Sequence, residues 1–344
     1  MVEKTQRFLL AVLRFHGDVL LTTPMISEIK ENYPDSTIDL LVYKGTGSIL
    51  ESDPRVNNII EAVPSSSSNL LMRIFKEIQL LRKLNRTDYD FGVFLTTQWR
   101  MALMARCLRG AKTAGVDDTK RRKSFWVKSF TFIFPEVGED HIIERNLSAL
   151  ETLGLSSINK ETRLSLNIPQ EANEIKEKFA IGTNYCLFHP VSRRETKLWK
   201  KDAFAKLIDH YSNQGLKVVL TSGPDLSEIQ YLKDIEELAN TKVINLGGKT
   251  SLIELAALIK ESKFFIGLDS VASHIAAAVG ASGVTLFGPS NSVNWRPWSD
   301  KVSIIARGQE EFCQTHGHME GKYKKCLCYI SVERVIEDVD RLIN

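Results

Sequence analysis

Five cysteines in 344 residues are too few, and odd in number, for a disulfide framework. Two of them, Cys107 and Cys186, stand in apolar segments and read as reduced thiols of a reducing compartment. Apolar runs are short as well: none approaches the roughly 18 to 20 residues that a membrane-crossing helix needs, which leaves only peripheral membrane contact. Residues 1–7 are polar and lead straight into a short apolar strand, without the charged, apolar and small-residue order of a secretory signal, so a cytoplasmic protein is expected. Surplus charge is also lacking. A formal net charge of +3 does not suggest nucleic acid, so an anionic partner has to be sought in local clusters.

What is present is the composition of a soluble globular chain, 43% apolar and 25% charged. The length suits two domains of roughly 150 to 170 residues each. Short β-branched and aromatic runs alternate with longer amphipathic segments, the signature of parallel sheets with crossover helices and hence of an α/β fold. In the first half, strands are expected over 8–13, 38–42, 58–62 and 91–95, and helices over 24–31, 70–84 and 101–108. The pattern then restarts, with strands over 185–189, 217–220, 242–246, 264–267 and 284–287 and helices over 202–212, 227–238, 252–261 and 274–279. The stretch 164–171, which contains Pro169, reads as the linker. Two Rossmann-like domains follow, 1–168 and 169–330, with a C-terminal helix in 331–344. Two doubly wound domains facing each other across a cleft would place ligands at the carboxyl ends of both sheets.

Several polar turns stand at those ends. Arg14-Phe-His-Gly-Asp18 closes the first strand, and Gly17 is expected to give a tight turn that aims Asp18 at the cleft, where a carboxylate can take a proton from a hydroxyl. An N-cap is the plainer alternative for Asp18, and His16 is available beside it. In the second half, His189-Pro-Val-Ser-Arg-Arg-Glu-Thr-Lys197 projects Ser192, Arg193 and Lys197 from a loop, where the cations suit phosphate oxygens and the charge of a departing diphosphate. Thr221-Ser-Gly-Pro-Asp225 follows the next strand, with Glu228 placed for a ribose. The run 264–278 leads through Gly267 and Asp269-Ser270 into a helix whose free amides, Val271 among them, offer an anion site, and Gly288 makes a further turn on the same edge.

Between 99 and 128, nine cations gather around Trp99, Phe125 and Trp126, including Arg100, Arg106, Arg109, Arg121, Arg122 and Lys123. They suit a phosphorylated acceptor or an anionic leaflet. Cys313, His316, His318, Cys326 and Cys328 have metal-ligand types at irregular spacing, and a surface loop with free thiols is favoured there. No Asp-x-Asp pair is placed at a strand end as a metal–diphosphate anchor, so metal-independent chemistry without a cofactor is expected.

Taken together, these motifs resemble glycosyltransferase family nine, the ADP-heptose:lipopolysaccharide heptosyltransferases, over essentially the whole chain. The carriers are 14–24, Leu95-Thr-Thr-Gln98-Trp99-Arg100, Ser192-Arg193 with Lys197 and Trp199, 221–225, Gly267-Leu-Asp269-Ser270 with His274, and Phe287-Gly288-Pro-Ser290 followed by Trp295-Arg-Pro-Trp298. The Gln98–Arg100 and Trp295–Trp298 elements are most similar to members that add the third, side-branch heptose. The resemblance implies a GT-B fold, an ADP-heptose donor, an acceptor in the second heptose of the lipopolysaccharide inner core, and inversion at the anomeric carbon. It makes Asp18 the base, gives the diphosphate to Lys197 and Ser192, and gives donor heptose and phosphate to Asp269 and the amides after it, with Arg193, Ser270, Val271, His274 and Gly288 beside them. Glu228 is a looser match, and Val191 stands where relatives often carry a hydroxyl. His16, Gln98, Trp99, Arg100, Arg121 and Arg122 would face the acceptor. A monomer at the inner face of the cytoplasmic membrane is expected, with no nucleic-acid partner. A protein-modifying heptosyltransferase, a sugar-nucleotide epimerase and a non-catalytic nucleotide-sugar sensor are the alternatives.

Overall fold

The computed structural model describes residues 5–64, 70–118, 120, 125–136, 138–155, 163–288, 290–306, 327 and 330–343. The chain divides into two compact units, Met1–Asn167 and Ile168–Asn344. Each is built on one six-stranded sheet whose pairings are all parallel.

The first unit carries β1 (Arg7–Val12), α1 (His16–Leu20), α2 (Thr23–Asn32), β2 (Thr37–Tyr43), β3 (Asn58–Ala62), α3 (Leu70–Arg86), β4 (Phe91–Phe94), α4 (Trp99–Cys107), β5 (Lys112–Val116), β6 (Phe132–Phe134) and α5 (Ile142–Thr152). The central strand β1 is buried from Phe8 to Val12 because helices cover both faces of a parallel sheet. The second unit carries α6 (Glu174–Lys178), β7 (Tyr185–His189), α7 (Lys201–Asn213), β8 (Lys217–Leu220), α8 (Leu226–Leu238), β9 (Ile244–Asn245), α9 (Leu252–Glu261), β10 (Phe265–Leu268), α10 (Val271–Ala278), β11 (Gly283–Phe287), α11 (Ser292–Trp295), β12 (Val302–Ala306) and α12 (Val332–Ile343). Helix α12 docks on this unit: Val335 and Val339 are fully buried in its core, and Trp199 Nε1 donates to the Ile330 carbonyl at 3.1 Å.

The strand orders are β3-β2-β1-β4-β5-β6 and β12-β11-β10-β7-β8-β9. Counted from the first strand of each unit, both read 3-2-1-4-5-6, the doubly wound dinucleotide-binding order. Connections therefore reverse direction between β1 and β4 and again between β7 and β10, and the crevice at such a switch is where open α/β sheets bind ligands. The loops that follow these four strands carry the residues of interest.

Several sequence expectations need correction. Gly17 makes no sharp turn; it lies inside α1, which places Asp18 in that helix's first turn. Gly267 lies in β10, as the strand expected over 264–267 implies, and a Cβ there would come within 2.3 Å of the Phe265 ring. The helix expected from 274 begins at Val271, because Ser270 takes the extended N-cap conformation at φ −151°, ψ 177°. The strand expected over 242–246 is reduced to the edge pair Ile244–Asn245. Strands β5, β6 and β12 were not anticipated. Strand β6 has only three residues, and β5 interrupts its run with Lys112 and Gly115, residues depleted in strands.

Candidate active site

In the first unit, the loops after β1 and β4 meet at the switch point. Gln98, which N-caps α4, donates through Nε2 to the Leu13 carbonyl at 2.8 Å and accepts from the Tyr43 hydroxyl at 2.7 Å. Its amide thus ties three strand ends together. Asp18 accepts from the Phe15 amide at 3.4 Å, with Arg14 Nε 3.9 Å from Oδ1. Burial raises the Asp18 pKa, and the charge of Arg14, the amide hydrogen bonds and then Arg145 offset part of the rise. His16 turns Nε2 toward the Gly45 carbonyl at 3.2 Å.

Sequence reasoning missed Arg145, which reaches this edge from α5. Its Nη atoms donate to the Leu95 carbonyl at 3.2 Å and Nη2 to Asn146 Oδ1 at 2.6 Å, while Nε is buried with no partner among the described residues. Burial, then repulsion from Arg14, lowers its pKa to about 10. Thr96, inside the quoted Leu95–Arg100 motif but not singled out, keeps a buried Oγ1 that also lacks a partner there. Neither has a sequence signal by itself: Arg145 lies 127 positions from Asp18, and only the sheet order brings them together.

In the second unit, the loops after β7 and β10 meet in the same way. Lys197 Nζ pairs with Asp269 Oδ2 at 2.5 Å, and Ser192 Oγ lies 3.4 Å from the Asp269 carbonyl. Above this pair begins α10, whose first amides have no intrahelical acceptor. Two buried atoms at that end, Ser270 Oγ and His274 Nδ1, make no hydrogen bond among the described residues. Burial holds His274 neutral, against the pull of Asp269 and with the help of Lys197. An unsatisfied hydroxyl, a neutral imidazole, a helix amino end and a buried ammonium together make a polar site suited to an anionic, hydroxyl-rich ligand.

Glu228 closes the neighbouring turn. Its Oε2 accepts from the Gly223 amide at 2.9 Å, and a Cβ at Gly223 would lie 2.9 Å from the same oxygen, so a larger residue there would displace the carboxylate. Burial raises the Glu228 pKa, with Arg193 opposing it. Gly288 directly follows β11, and the buried His189 bonds Thr221 Oγ1 at 3.0 Å.

The basic stretch behaves less uniformly than its composition implied. Arg100 is engaged by Glu77 at 2.5 Å and by the Val63 carbonyl at 2.9 Å, while Trp99 is half exposed and stacks edge-on against Trp126. Arg121, Arg122 and Lys123 lie outside the described residues, as do Cys313, His316, His318, Cys326 and Cys328. One Asp-x-Asp pair does border a strand: Asp88 and Asp90 precede β4. Asp90 accepts there from the Arg7 amide at 3.0 Å, at the amino end of the sheet and away from Asp18.

Two parallel six-stranded sheets, each with an occupied-by-motif switch point, define the Rossmann-like units of the GT-B architecture. The chain belongs to glycosyltransferase family 9 (heptosyltransferase), whose family model matches residues 78–326, and it is accordingly a glycosyltransferase. It is 36% identical over 334 residues to lipopolysaccharide heptosyltransferase 3 of Escherichia coli strain K12, spanning 96% of each chain. Its fold matches the crystal structure of a family 9 glycosyl transferase from Veillonella parvula with a TM-score of 0.83 at 22% identity, covering 100% of this chain and 98% of that one. The E. coli heptosyltransferase WaaC with ADP matches with a TM-score of 0.77 at 18% identity, over 98% and 100% of the two chains.

Proposed function

We propose that this enzyme moves heptose from ADP-L-glycero-D-manno-heptose to the second heptose of the lipopolysaccharide inner core, with inversion and without a metal or other cofactor. The observation that carries the reading is the buried Lys197–Asp269 pair set beneath the unsatisfied Ser270 and His274 at the start of α10. The name of the 36% identical relative supports the acceptor, and the ADP in the WaaC structure supports the nucleotide.

In this reading the donor diphosphate takes the α10 amides and Lys197, with Ser192 beside them, and the heptose hydroxyls take Asp269 and His274. Arg193 and Gly288 border the nucleotide, and Glu228 accepts from its ribose. The acceptor hydroxyl loses its proton to Asp18 as its oxygen bonds to the anomeric carbon, while the bond from that carbon to the diphosphate oxygen breaks on the opposite face and ADP leaves. Positive charge gathers on the sugar and negative charge on the diphosphate, so the ammonium and helix end assist most as the bond breaks. Arg14 and, more weakly, Arg145 oppose the burial that raises the Asp18 pKa, and Arg145, Thr96, His16 and Trp99 form the acceptor side. Arg100, already paired with Glu77, meets a phosphate only by exchanging that partner. The enzyme works as a monomer at the inner face of the cytoplasmic membrane; among the described residues, no helix is long and apolar enough to cross it.

The test is ADP release from ADP-heptose with and without a two-heptose core acceptor, for wild type and Asp18→Ala. Acceptor-dependent release that the variant loses while still binding ADP is the expected result. Donor binding without release on that acceptor rules the acceptor out.

A further inference from the structure

Helix α3 carries an apolar stripe that the first unit does not cover. Its later turns bury Leu80 and Leu84, yet Leu71 (79% exposed), Met72, Ile74, Phe75 (56% exposed) and Ile78 face solvent. Residues 71, 74, 75 and 78 fall on one side of a helix at its 3.6-residue period. The neighbouring α4, tied to α3 by the Arg100–Glu77 pair, exposes Trp99 and Leu103 one turn apart. Large apolar side chains gathered on two touching helices mark an interaction surface.

The charge beside them has one sign. Helix α3 holds five cations and a single acid, Glu77, which Arg100 neutralises. Lys76, Arg82, Lys83 and Arg86 are exposed around the stripe, and on α4 Arg106 lies 5.1 Å over the ring of Phe125, itself exposed. Apolar side chains ringed by lysine and arginine complement a surface with acyl chains inside and anionic headgroups outside.

We propose that α3, with the exposed edge of α4, is the membrane-docking face of this protein and lies in the plane of an anionic phospholipid leaflet. Leu71, Ile74, Phe75 and Ile78 enter the acyl boundary, and Lys76, Lys83 and Arg86 meet headgroup phosphates. The inference rests on the reading that the acceptor is a lipid-borne core, since docking brings the enzyme to where that acceptor is anchored.

The experiment is co-sedimentation of the full chain with vesicles of phosphatidylcholine, with and without one-third phosphatidylglycerol. Wild type is expected to bind the anionic vesicles at least ~10-fold more tightly than the neutral ones. Ile74→Ser/Phe75→Ser should lose about tenfold or more on anionic vesicles, and Lys76→Glu/Lys83→Glu should lose the preference for them, with thermal unfolding unchanged. Leu226→Ser, which alters an exposed leucine on α8 of the other unit, should bind as wild type. Undiminished binding by the Ile74/Phe75 variant overturns the proposal. So does a wild-type oligomer that the same variant splits in sedimentation velocity without loss of vesicle binding, since a second copy then covers the face. Release of ADP on a soluble, delipidated acceptor is measured in parallel. Transfer without vesicle binding removes the docking face alone, and vesicle binding without transfer removes the acceptor reading alone.

Discussion

Lys197 Nζ stands 2.5 Å from Asp269 Oδ2, joining loops 72 residues apart in sequence, with only 16% and 9% of the two side chains exposed. Removing one partner of so enclosed a pair leaves the other charge without compensation. Lys197→Ala should therefore lose about 3 kcal/mol of stability as well as ADP affinity. The double variant Lys197→Met/Asp269→Leu should recover most of that stability and none of the turnover. Urea unfolding and calorimetric ADP titration of the three proteins separate the effects, and a double variant that still releases ADP at the wild-type rate would reduce the pair to a structural role.

That pair also marks how far the sequence is legible. Motif and position alone put Lys197, Ser192, Asp269 and His274 in the segments that follow strand ends. Their mutual contact is not legible that way, since it depends on β7 and β10 being neighbours in the sheet. Arg145 escaped for the same reason: an arginine in an amphipathic helix looks like a solvated one until burial and the Leu95 carbonyl are seen. Long-period features, the two doubly wound halves and the helices α3, α8 and α9, were read within a few residues. Strands β5, β6 and β12 were not: β6 and β12 lie half-exposed at sheet edges, where little apolar pattern is on display, and the buried β5 breaks its short apolar run with Lys112 and Gly115.

With Asp18 as the base, its proton affinity sets the acid limb of the pH–kcat/KM profile. Burial raises that pKa and Arg14 lowers it, so the limb should lie above the range of an ordinary carboxylate. Arg14→Gln removes a lowering charge and should move it further toward neutral pH while leaving the plateau within about threefold. An unmoved limb in Arg14→Gln would assign the titration to another group.

His189 is buried, and desolvation drops its pKa from 6.5 to about 4. A depressed histidine binds protons more weakly when folded than when unfolded. Its contribution is therefore complete above pH 6.5 and is lost as pH falls from there toward 4, on the order of 3 kcal/mol in all. His189→Asn, which can keep a bond to Thr221, should be less sensitive to acid over that window. Urea midpoints measured from pH 7.5 to 4.5 decide it: parallel curves for the two proteins would mean that His189 is not the source of acid lability.

Asp18 runs the opposite way. Its folded pKa is raised, so its contribution favours the fold below the unfolded carboxylate pKa and is lost as pH rises through the folded one. At neutral pH the ionised, half-buried carboxylate therefore opposes folding. Asp18→Asn keeps the shape, removes the charge and can still accept from the Phe15 amide, so its Tm should exceed that of wild type at pH 7.5 and the gain should vanish at pH 4. The same substitution should lower acceptor-dependent ADP release by about 10³-fold, within the span that a positioned base supplies. Differential scanning at the two pH values, beside the release assay, measures both. A variant less stable than wild type at pH 7.5 would show that the carboxylate is held by its partners more strongly than burial opposes it.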